Sequence, residues 1–257
     1  MEDKANVFDF QAEVGLTKHP GSLEATEELV ESCRIDEGKY VLDIGCGVGV
    51  TPCYLAKRHG CTVVGVDISQ RMIERSKERA KRDGVEDRVE FRVADAQSLP
   101  FEDDLFDVVI GESVTAFPED KQRAVNEYVR VIKPGGYVGL NESTWIKAPP
   151  PAELVEWVSQ DLSGNAEVLS ADGWVGLLEG SGLRDIVVRT YEISPRGEAA
   201  SVIRRYGLRN MLGIWCRALS MYVRNPASWA MLKAAGAMPK NAFEYFGYGI
   251  YVGRKRN

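Results

Sequence analysis

The sequence predicts an α/β protein whose mostly parallel sheet carries helices on both faces. Short apolar runs alternate with longer amphipathic segments through the first half of the chain, and this alternation is typical of strand–helix–strand units with right-handed crossovers. One apolar run leads through a glycine-rich loop into a helix, and acidic residues directly follow several others. Because ligands of such sheets bind beyond the carboxyl ends of the strands, we expect these acidic residues to share one crevice.

The elements of the first half follow from the spacing of apolar residues and from capping residues. A helix is predicted from about Leu23 to Cys33, with Ser22 as its N-cap. Five strands are predicted: Tyr40–Ile44, Cys61–Val66, Val89–Val93, Phe106–Ile110 and Tyr137–Asn141. The helices between them are predicted from Thr51 as N-cap to Gly60, from Ser69 as N-cap to about Asp83, and over Asp120–Ile132. The segment Lys133–Gly136 is expected to be a structural turn, because its proline stops the helix and its glycines supply positive φ.

The second half of the chain is less regular. Helices are predicted over Ala152–Leu162 and Ala171–Gly180. Asp185–Tyr191 and Phe243–Val252 alternate as strands do, which brings the predicted sheet to seven strands. Between those two strands lies an insert, Gly197–Asn241, that is rich in large apolar side chains. We interpret it as a helical lid; simple packing of its apolar face on the sheet is the alternative.

Composition excludes several classes of protein. The 257 residues are 44% hydrophobic and 27% charged, which is typical of a globular chain and not of a disordered or collagen-like one. A net charge of −6 argues against sequence-independent binding to nucleic acid or anionic lipid. The N-terminal segment lacks the apolar core of a signal peptide, and the longest apolar stretch, Met211–Val223, is too short to span a bilayer. We therefore expect a soluble, cytoplasmic protein with no transmembrane segment.

The cysteines predict neither a disulfide framework nor a metal site. They are Cys33, Cys46, Cys53, Cys61 and Cys216. No two of them stand at CxxC spacing, and the chain contains only two histidines, so a zinc cluster is not indicated. Reduced thiols and no bound metal are the expectation.

A glycine-rich loop is the first candidate site. The segment Asp43-Ile-Gly45-Cys-Gly47-Val-Gly49 follows a predicted strand and precedes a helix. Glycines there let a ligand approach the backbone, and the helix N-terminus favours an anionic group. A dinucleotide fingerprint would need a glycine where Val50 stands, and the Gly-Lys-Ser/Thr of a P-loop is absent. The spacing therefore favours a ligand that is not a diphosphate, with a purely structural glycine turn as the alternative.

Two acidic residues at strand ends extend this pattern. Asp67 ends the second strand eighteen residues after Gly49, where a carboxylate can accept both hydroxyls of an adenosine ribose. The alternative for Asp67 is a helix N-cap shared with Ser69. Asp95 follows the third strand, where its carboxylate can accept from the exocyclic amine of adenine while the next backbone N–H donates to a ring nitrogen. An ordinary turn is the alternative for Asp95.

Five segments resemble, in their order and spacing, the class I S-adenosylmethionine-dependent methyltransferases. They are VLDIGCGVG, GVD, VADAQSLPF, FDVVIGES and RVIKPGGYV. The resemblance is closest to the branch that includes quinone-biosynthesis C-methyltransferases and many small-molecule methyltransferases. It is strong from about Gly38 to Glu142 and weaker over Ser170–Arg184 and the last strand. It implies a single domain with a Rossmann-like, mostly parallel seven-stranded sheet. The implied divisions are an N-terminal helical cover (1–37), a donor-binding half (38–145) and an acceptor half (146–257) with the lid (197–241) inserted before the last strand.

The resemblance also implies S-adenosylmethionine as the methyl donor and a role for each candidate residue. The implied donor-binding residues are Asp43, Gly45, Gly47, Gly49, Asp67, Ile68, Asp95, Ala96 and Glu112. The glycines would line the methionine moiety, with Asp43 supporting the loop and the amino group. Asp67 would hold the ribose, and Ile68 would lie against the adenine. Asp95 and the residue after it would read the adenine edge, and Glu112 would face the methionine end near the sulfonium.

The implied reaction is an in-line displacement at a sulfonium methyl group, for which the enzyme mainly supplies alignment and exclusion of water. A general base is needed only if the acceptor loses a proton as it attacks. The candidate catalytic residues are His19, in the N-terminal segment, and Glu142, after the fifth strand. Trp145 could touch the acceptor. A turn role is the alternative for His19, and His59 is expected to interact with a helix dipole.

The acceptor is expected to be a small, largely apolar molecule, because the Met- and Trp-rich insert suits a lid that excludes water. A protein or RNA methyltransferase that uses the insert as a docking surface is the alternative, and the acidic charge argues against RNA. A donor-binding protein without catalysis is a third possibility. We expect no nucleic-acid partner; the sequence indicates neither the acceptor atom nor the oligomeric state.

Overall fold

One sheet with helices on both faces organises the chain. The structure, a computed structural model, describes residues 19–161, 166–193, 239 and 241–257. The strands are β1 (Tyr40–Ile44), β2 (Thr62–Asp67), β3 (Val89–Val93), β4 (Phe106–Glu112), β5 (Ile132–Trp145), β6 (Leu169–Ser170), β7 (Arg184–Glu192) and β8 (Phe246–Arg254). The helices of the described ranges are α1 (Ser22–Ser32), α2 (Val50–His59), α3 (Gln70–Asp83), α4 (Lys121–Val131), α5 (Ala152–Asp161), α6 (Ala171–Gly180) and α7 (Ala242–Tyr245).

The strand order confirms the predicted fold. It runs β3-β2-β1-β4-β5-β8-β7, and the two-residue β6, which the sequence did not predict, pairs with the end of β5. The first five strands pair in parallel, whereas β8 is antiparallel to both of its neighbours. From β1, the strands β2 and β3 are added on one side of the sheet, and β4 and β5 on the other. The order in which strands are added therefore reverses between β1 and β4. Ligands of open α/β sheets bind at the carboxyl ends of the strands at this switch point.

Each face of the sheet has its own apolar layer. Helices α1, α2 and α3 cover one face through buried residues such as Leu29, Leu55 and Ile73. Helices α4 and α6 cover the other face through residues such as Val125 and Trp174. Since successive side chains of a strand point to opposite faces, neighbours in sequence at a strand end belong to different layers.

Two predicted helix N-caps are wrong and one is confirmed. Helix α1 is capped by Gly21 and α2 by Gly49, both in the left-handed region with φ of 72° and 74°, so neither Ser22 nor Thr51 is an N-cap. The left-handed turn favours glycine, and both hydroxyl residues then lie inside their helices. Ser69 caps α3 by accepting from the amide of Met72, as predicted. The side chain of Asp120 likewise caps α4.

Two predicted boundaries in the later strands are also corrected. Lys133–Gly136 is not a turn before the strand but a bulge inside β5, because the pairing with β4 jumps from Ile132 to Tyr137 over this segment. The last strand begins at Phe246 rather than Phe243, because the preceding residues form the short helix α7. Nearly all of the predicted lid, Gly197–Asn241, lies outside the described residues.

Candidate active site

The glycine loop between β1 and α2 is held from outside by α3. The Ser76 hydroxyl donates to the Gly47 carbonyl at 2.8 Å, and the Arg79 guanidinium donates to the Val48 carbonyl at 2.8 Å. Gly45 has φ of 65°, and a Cβ there would stand 2.4 Å from a methyl carbon of Val114. Only glycine therefore lets the loop after β4 pack on this loop.

The amides of the glycine loop explain why it does not suit a diphosphate. The Cys46 amide donates to the Val66 carbonyl, the Gly47 amide to the Asp67 carboxylate, and the Gly49 amide to the Cys46 carbonyl. These donors already have acceptors within the protein. The loop consequently offers close approach to its backbone rather than a row of amides aimed at phosphates, in agreement with the prediction from its spacing.

Asp67 lies at the carboxyl end of β2 with both of its oxygens oriented. Oδ1 accepts from the Ser69 amide at 2.9 Å, and Oδ2 accepts from the Gly47 amide at 3.0 Å. Burial raises the pKa of this carboxyl, and the two amide hydrogen bonds act in the opposite direction. A carboxylate has about four acceptor positions, so each oxygen retains one for a hydroxyl donor.

The strand ends beside Asp67 leave an apolar side chain and a carboxylate exposed. Ile68 is 74% exposed, which is unusual for isoleucine. Asp95 is also exposed, and its Oδ1 accepts from the Gln97 amide at 2.8 Å in a local turn. Ala96, next to Asp95, is half-buried. The Ala94 amide donates to the Asp67 carbonyl, so the two strand ends are held side by side.

Glu112 ends β4 as the centre of a buried polar group. The Thr26 hydroxyl of α1 donates to Oε1 at 2.9 Å, and the Thr51 hydroxyl of α2 donates to Oε2 at 2.7 Å. Nε2 of His19 lies 3.3 Å from Oε1. Glu112 thus ties the N-terminal helix to the start of the helix that follows the glycine loop. Asp43, the other predicted acidic residue here, is buried at 2% exposure.

His19 is buried, with 4% exposure, and both ring nitrogens face polar groups. Nε2 faces Glu112, and Nδ1 lies 3.0 Å from the side-chain nitrogen of Asn141 on β5. Sequence analysis missed Asn141 as well as the roles of Thr26 and Thr51. Thr26 is one of the buried residues of α1, and Thr51 was predicted as an N-cap, so the local pattern did not indicate that either hydroxyl binds Glu112.

Glu142 belongs to the opposite layer of the sheet. Its side chain has 0% exposure, and Oε1 accepts from the amides of Val114 at 3.0 Å and Thr115 at 2.7 Å. Burial raises its pKa to about 7, although the amides of Thr115 and Val114 lower it. The structure therefore brings His19 and Glu112 together and places Glu142 beneath the loop that follows β4. Trp145 packs against Phe246 in a small apolar layer with α5.

The remaining histidine lies away from this crevice, and the described cysteines are buried. His59, in the last turn of α2, has Nε2 3.2 Å from a carboxylate oxygen of Glu27 on α1. Burial raises the pKa of the four described cysteines, all of them free thiols: Cys33, Cys46, Cys53 and Cys61. Within the described ranges, no three histidine, cysteine or acidic side chains are grouped as a metal site would require. None of the helices there is both long and apolar enough to cross a bilayer.

The sequence is similar to that of known methyltransferases. A family model described as a methyltransferase domain matches residues 42–140. An uncharacterized protein of Haemophilus influenzae is 32% identical over 195 residues, covering 74% of this chain and 77% of that protein. The 27-O-demethylrifamycin SV methyltransferase of Amycolatopsis mediterranei is 33% identical over 169 residues, covering 65% of this chain and 62% of that enzyme.

Solved structures share the fold over nearly the whole chain. The cyclase SpnF matches with a TM-score of 0.77 at 22% identity, covering 97% of this chain and 93% of SpnF. A methyltransferase from Thiobacillus denitrificans, solved with S-adenosylhomocysteine, matches with a TM-score of 0.70 at 21% identity, covering 99% of this chain and 100% of that one. The chain belongs to the S-adenosylmethionine-dependent methyltransferases. It is an enzyme of that family, whose methyl donor is S-adenosylmethionine.

Proposed function

We propose that this methyltransferase acts on a small, largely apolar molecule and holds its donor at the carboxyl ends of β1 to β4. The observation that carries the donor site is the convergence of oriented carboxylates, Asp67 and Glu112, on either side of a glycine loop that a side chain would obstruct. The small acceptor is supported by the relative named for 27-O-demethylrifamycin SV and by the large apolar residues of the insert.

The residues of the crevice suit the parts of S-adenosylmethionine. The free acceptor positions on Asp67 suit two ribose hydroxyls, and the exposed Ile68 offers an apolar surface to the adenine. The carboxylate of Asp95 suits an exocyclic amine. Glu112 would bind the ammonium of the methionine end, because a buried carboxylate next to a glycine loop attracts a cation there.

The chain's contribution to the reaction is alignment. S-adenosylmethionine supplies a methyl group that is already activated by the sulfonium charge. The protein holds the donor, orients the acceptor in line and excludes water. The roles of His19 and Glu142 as proton acceptors stay predictions. Full burial beneath the loop after β4 favours a supporting role for Glu142, since a general base must reach the proton that it removes.

The donor site is tested by Asp67→Ala, with Glu86→Ala, an exposed carboxylate before β3, as the matched control. Losing two charge-assisted hydrogen bonds should weaken donor binding at least about tenfold. Calorimetric titration with S-adenosylhomocysteine measures this, and circular dichroism checks that the fold is retained. Unchanged affinity in Asp67→Ala would remove this carboxylate from the site.

The acceptor class is tested by incubating the purified enzyme with methyl-labelled donor and cell extract. The extract is separated into small molecules, protein and RNA before counting. We expect label in the apolar small-molecule fraction, with the Asp67→Ala enzyme as the background control. Label confined to protein or RNA would contradict the proposed acceptor and leave the donor site standing.

A further inference from the structure

The buried group around His19 leads to an assignment beyond donor binding. We infer that Asn141 is a positioning residue: its amide places the proton of the His19 ring on Nε2, so that the ring donates to Glu112 and holds this carboxylate in its orientation. The effect on Glu112 rests on the proposed donor-binding function of that residue, whereas the position of the proton on the His19 ring does not.

The orientation of the Asn141 amide is set by a backbone carbonyl. Its nitrogen donates to the Pro20 carbonyl at 2.8 Å, and the same nitrogen lies 3.0 Å from Nδ1 of His19. Reversing the amide would place two oxygens 2.8 Å apart with no proton between them. The amide therefore presents its second N–H to the ring.

The state of the ring follows from this donor. Nδ1 must accept from Asn141, so a neutral His19 carries its proton on Nε2, where Glu112 Oε1 lies 3.3 Å away. The opposite tautomer would turn an N–H toward the amide of Asn141 and a lone pair toward the carboxylate. A doubly protonated ring would still oppose Asn141 at Nδ1. Nδ1 also lies 3.2 Å from the Pro20 carbonyl, a longer distance than to Asn141.

Glu112 then receives three donors from the described residues. Thr26 donates to Oε1 and Thr51 donates to Oε2. Nε2 of His19, on which we infer the proton, lies 3.3 Å from Oε1, closer than it lies to the Thr26 hydroxyl oxygen at 3.4 Å. With Thr26 and His19 beside it, Oε1 has no acceptor lone pair left, and Oε2 retains one. Both ring nitrogens of His19 face polar partners, so His19 acts through Glu112 rather than as the base.

The ring state can be read directly because the chain has only two histidines. In protein labelled with ¹⁵N-histidine, long-range proton–nitrogen spectra report which nitrogens of each ring are protonated. The His59→Gln variant assigns the two rings. Near neutral pH we expect His19 to be neutral with its proton on Nε2. A proton on Nδ1, alone or together with one on Nε2, would overturn the inference.

Asn141→Asp tests the cause. It replaces an N–H donor with a carboxylate that accepts from Nδ1, so the ring should stay doubly protonated to a pH at least about one unit higher than in the wild-type protein. Asn141→Leu, of similar size, serves as the control that lacks both donor and acceptor. An unchanged ring state in Asn141→Asp would refute the role of Asn141. If that variant fails to fold, the wild-type spectrum decides.

Kinetics and donor binding separate the two roles of His19. As a positioning residue, His19→Ala should weaken S-adenosylhomocysteine binding about tenfold. A general base predicts instead a loss of about 10²–10⁴-fold in kcat with donor affinity intact, and that result would contradict the inference. The inferred ring state together with unchanged donor affinity would leave the tautomer assignment standing and refute the proposed role of Glu112.

Discussion

Two buried carboxylates on adjacent strands, Glu112 at the end of β4 and Glu142 within β5, are held in different ways. Glu112, on the face covered by α1 and α2, faces side-chain donors that come from three separate parts of the chain. Glu142, on the face covered by α4 and α6, accepts from two backbone amides of one loop. The first carboxylate joins the N-terminal helix to the donor crevice, and the second fastens the loop that packs on the glycine loop.

This difference shows that burial alone does not identify a functional acid. The side-chain donors to Glu112 can be removed one at a time by mutation. Glu112 lies at the edge of the crevice. Backbone donors make Glu142 part of the scaffold, where burial raises its pKa to about 7. The two sides of the sheet should therefore respond differently to substitution, and the following tests address that contrast.

The largest effect is expected from Glu112→Ala. Removing this carboxylate breaks its buried hydrogen bonds with Thr26 and Thr51 and its pairing with His19, so the free energy of unfolding should fall by about 3 kcal/mol. Urea unfolding at pH 7 measures the change, with Glu86→Ala as the exposed control. A loss below about 1 kcal/mol would mean that the donors do not depend on this carboxylate.

A somewhat smaller effect is expected from Gly45→Ala. The left-handed φ of 65° and the 2.4 Å approach to Val114 together should destabilise the protein by about 2 kcal/mol. The double variant Gly45→Ala/Val114→Ala should recover the part of this loss that comes from the close approach. Additive losses in a double-mutant cycle of urea midpoints would show that the two loops are not coupled.

The smallest effect concerns the pH dependence contributed by Glu142. Its folded-state pKa of about 7 lies above the ordinary value for glutamate, so between about pH 4.5 and 7 the folded protein binds more protons than the unfolded chain. The free energy of unfolding should therefore fall as the pH rises through this window. In Glu142→Gln that fall should be absent, whereas an identical pH profile would assign it to other groups.

Much of the fold could be predicted from local pattern, and the reason is visible in particular elements. The inward side chains of α3, from Met72 to Ala80, follow helical spacing, and Ser69 caps this helix because its oxygen reaches an amide three residues on. Strand β1 was predicted residue for residue because a short apolar run ends in glycines. The caps of α1 and α2 were missed because each is a left-handed glycine, whereas the predicted caps, Ser22 and Thr51, lie inside the helices.

Residues of the candidate site could be predicted from the sequence only where an acidic residue at the end of a strand is itself the signal. Asp67, Asp95 and Glu112 could be located in that way. Asn141 could not, because it meets His19 across 122 positions of sequence and nothing in the local pattern of β5 distinguishes it. The positions of Glu142 and Asn141 on opposite faces follow from strand alternation, but which face holds the crevice became clear only when the helices were in place.

One comparison tests the central contrast most directly: calorimetric binding of S-adenosylhomocysteine to Glu112→Gln and Glu142→Gln at pH 7. Both variants keep an acceptor oxygen and lose a carboxylate. We expect affinity to fall at least about tenfold in Glu112→Gln, which loses a charge beside the donor. In Glu142→Gln we expect affinity to stay within about threefold of wild type, because the charge lost lies in the scaffold. Unchanged affinity in Glu112→Gln together with a tenfold loss in Glu142→Gln would contradict the assignment of the two carboxylates.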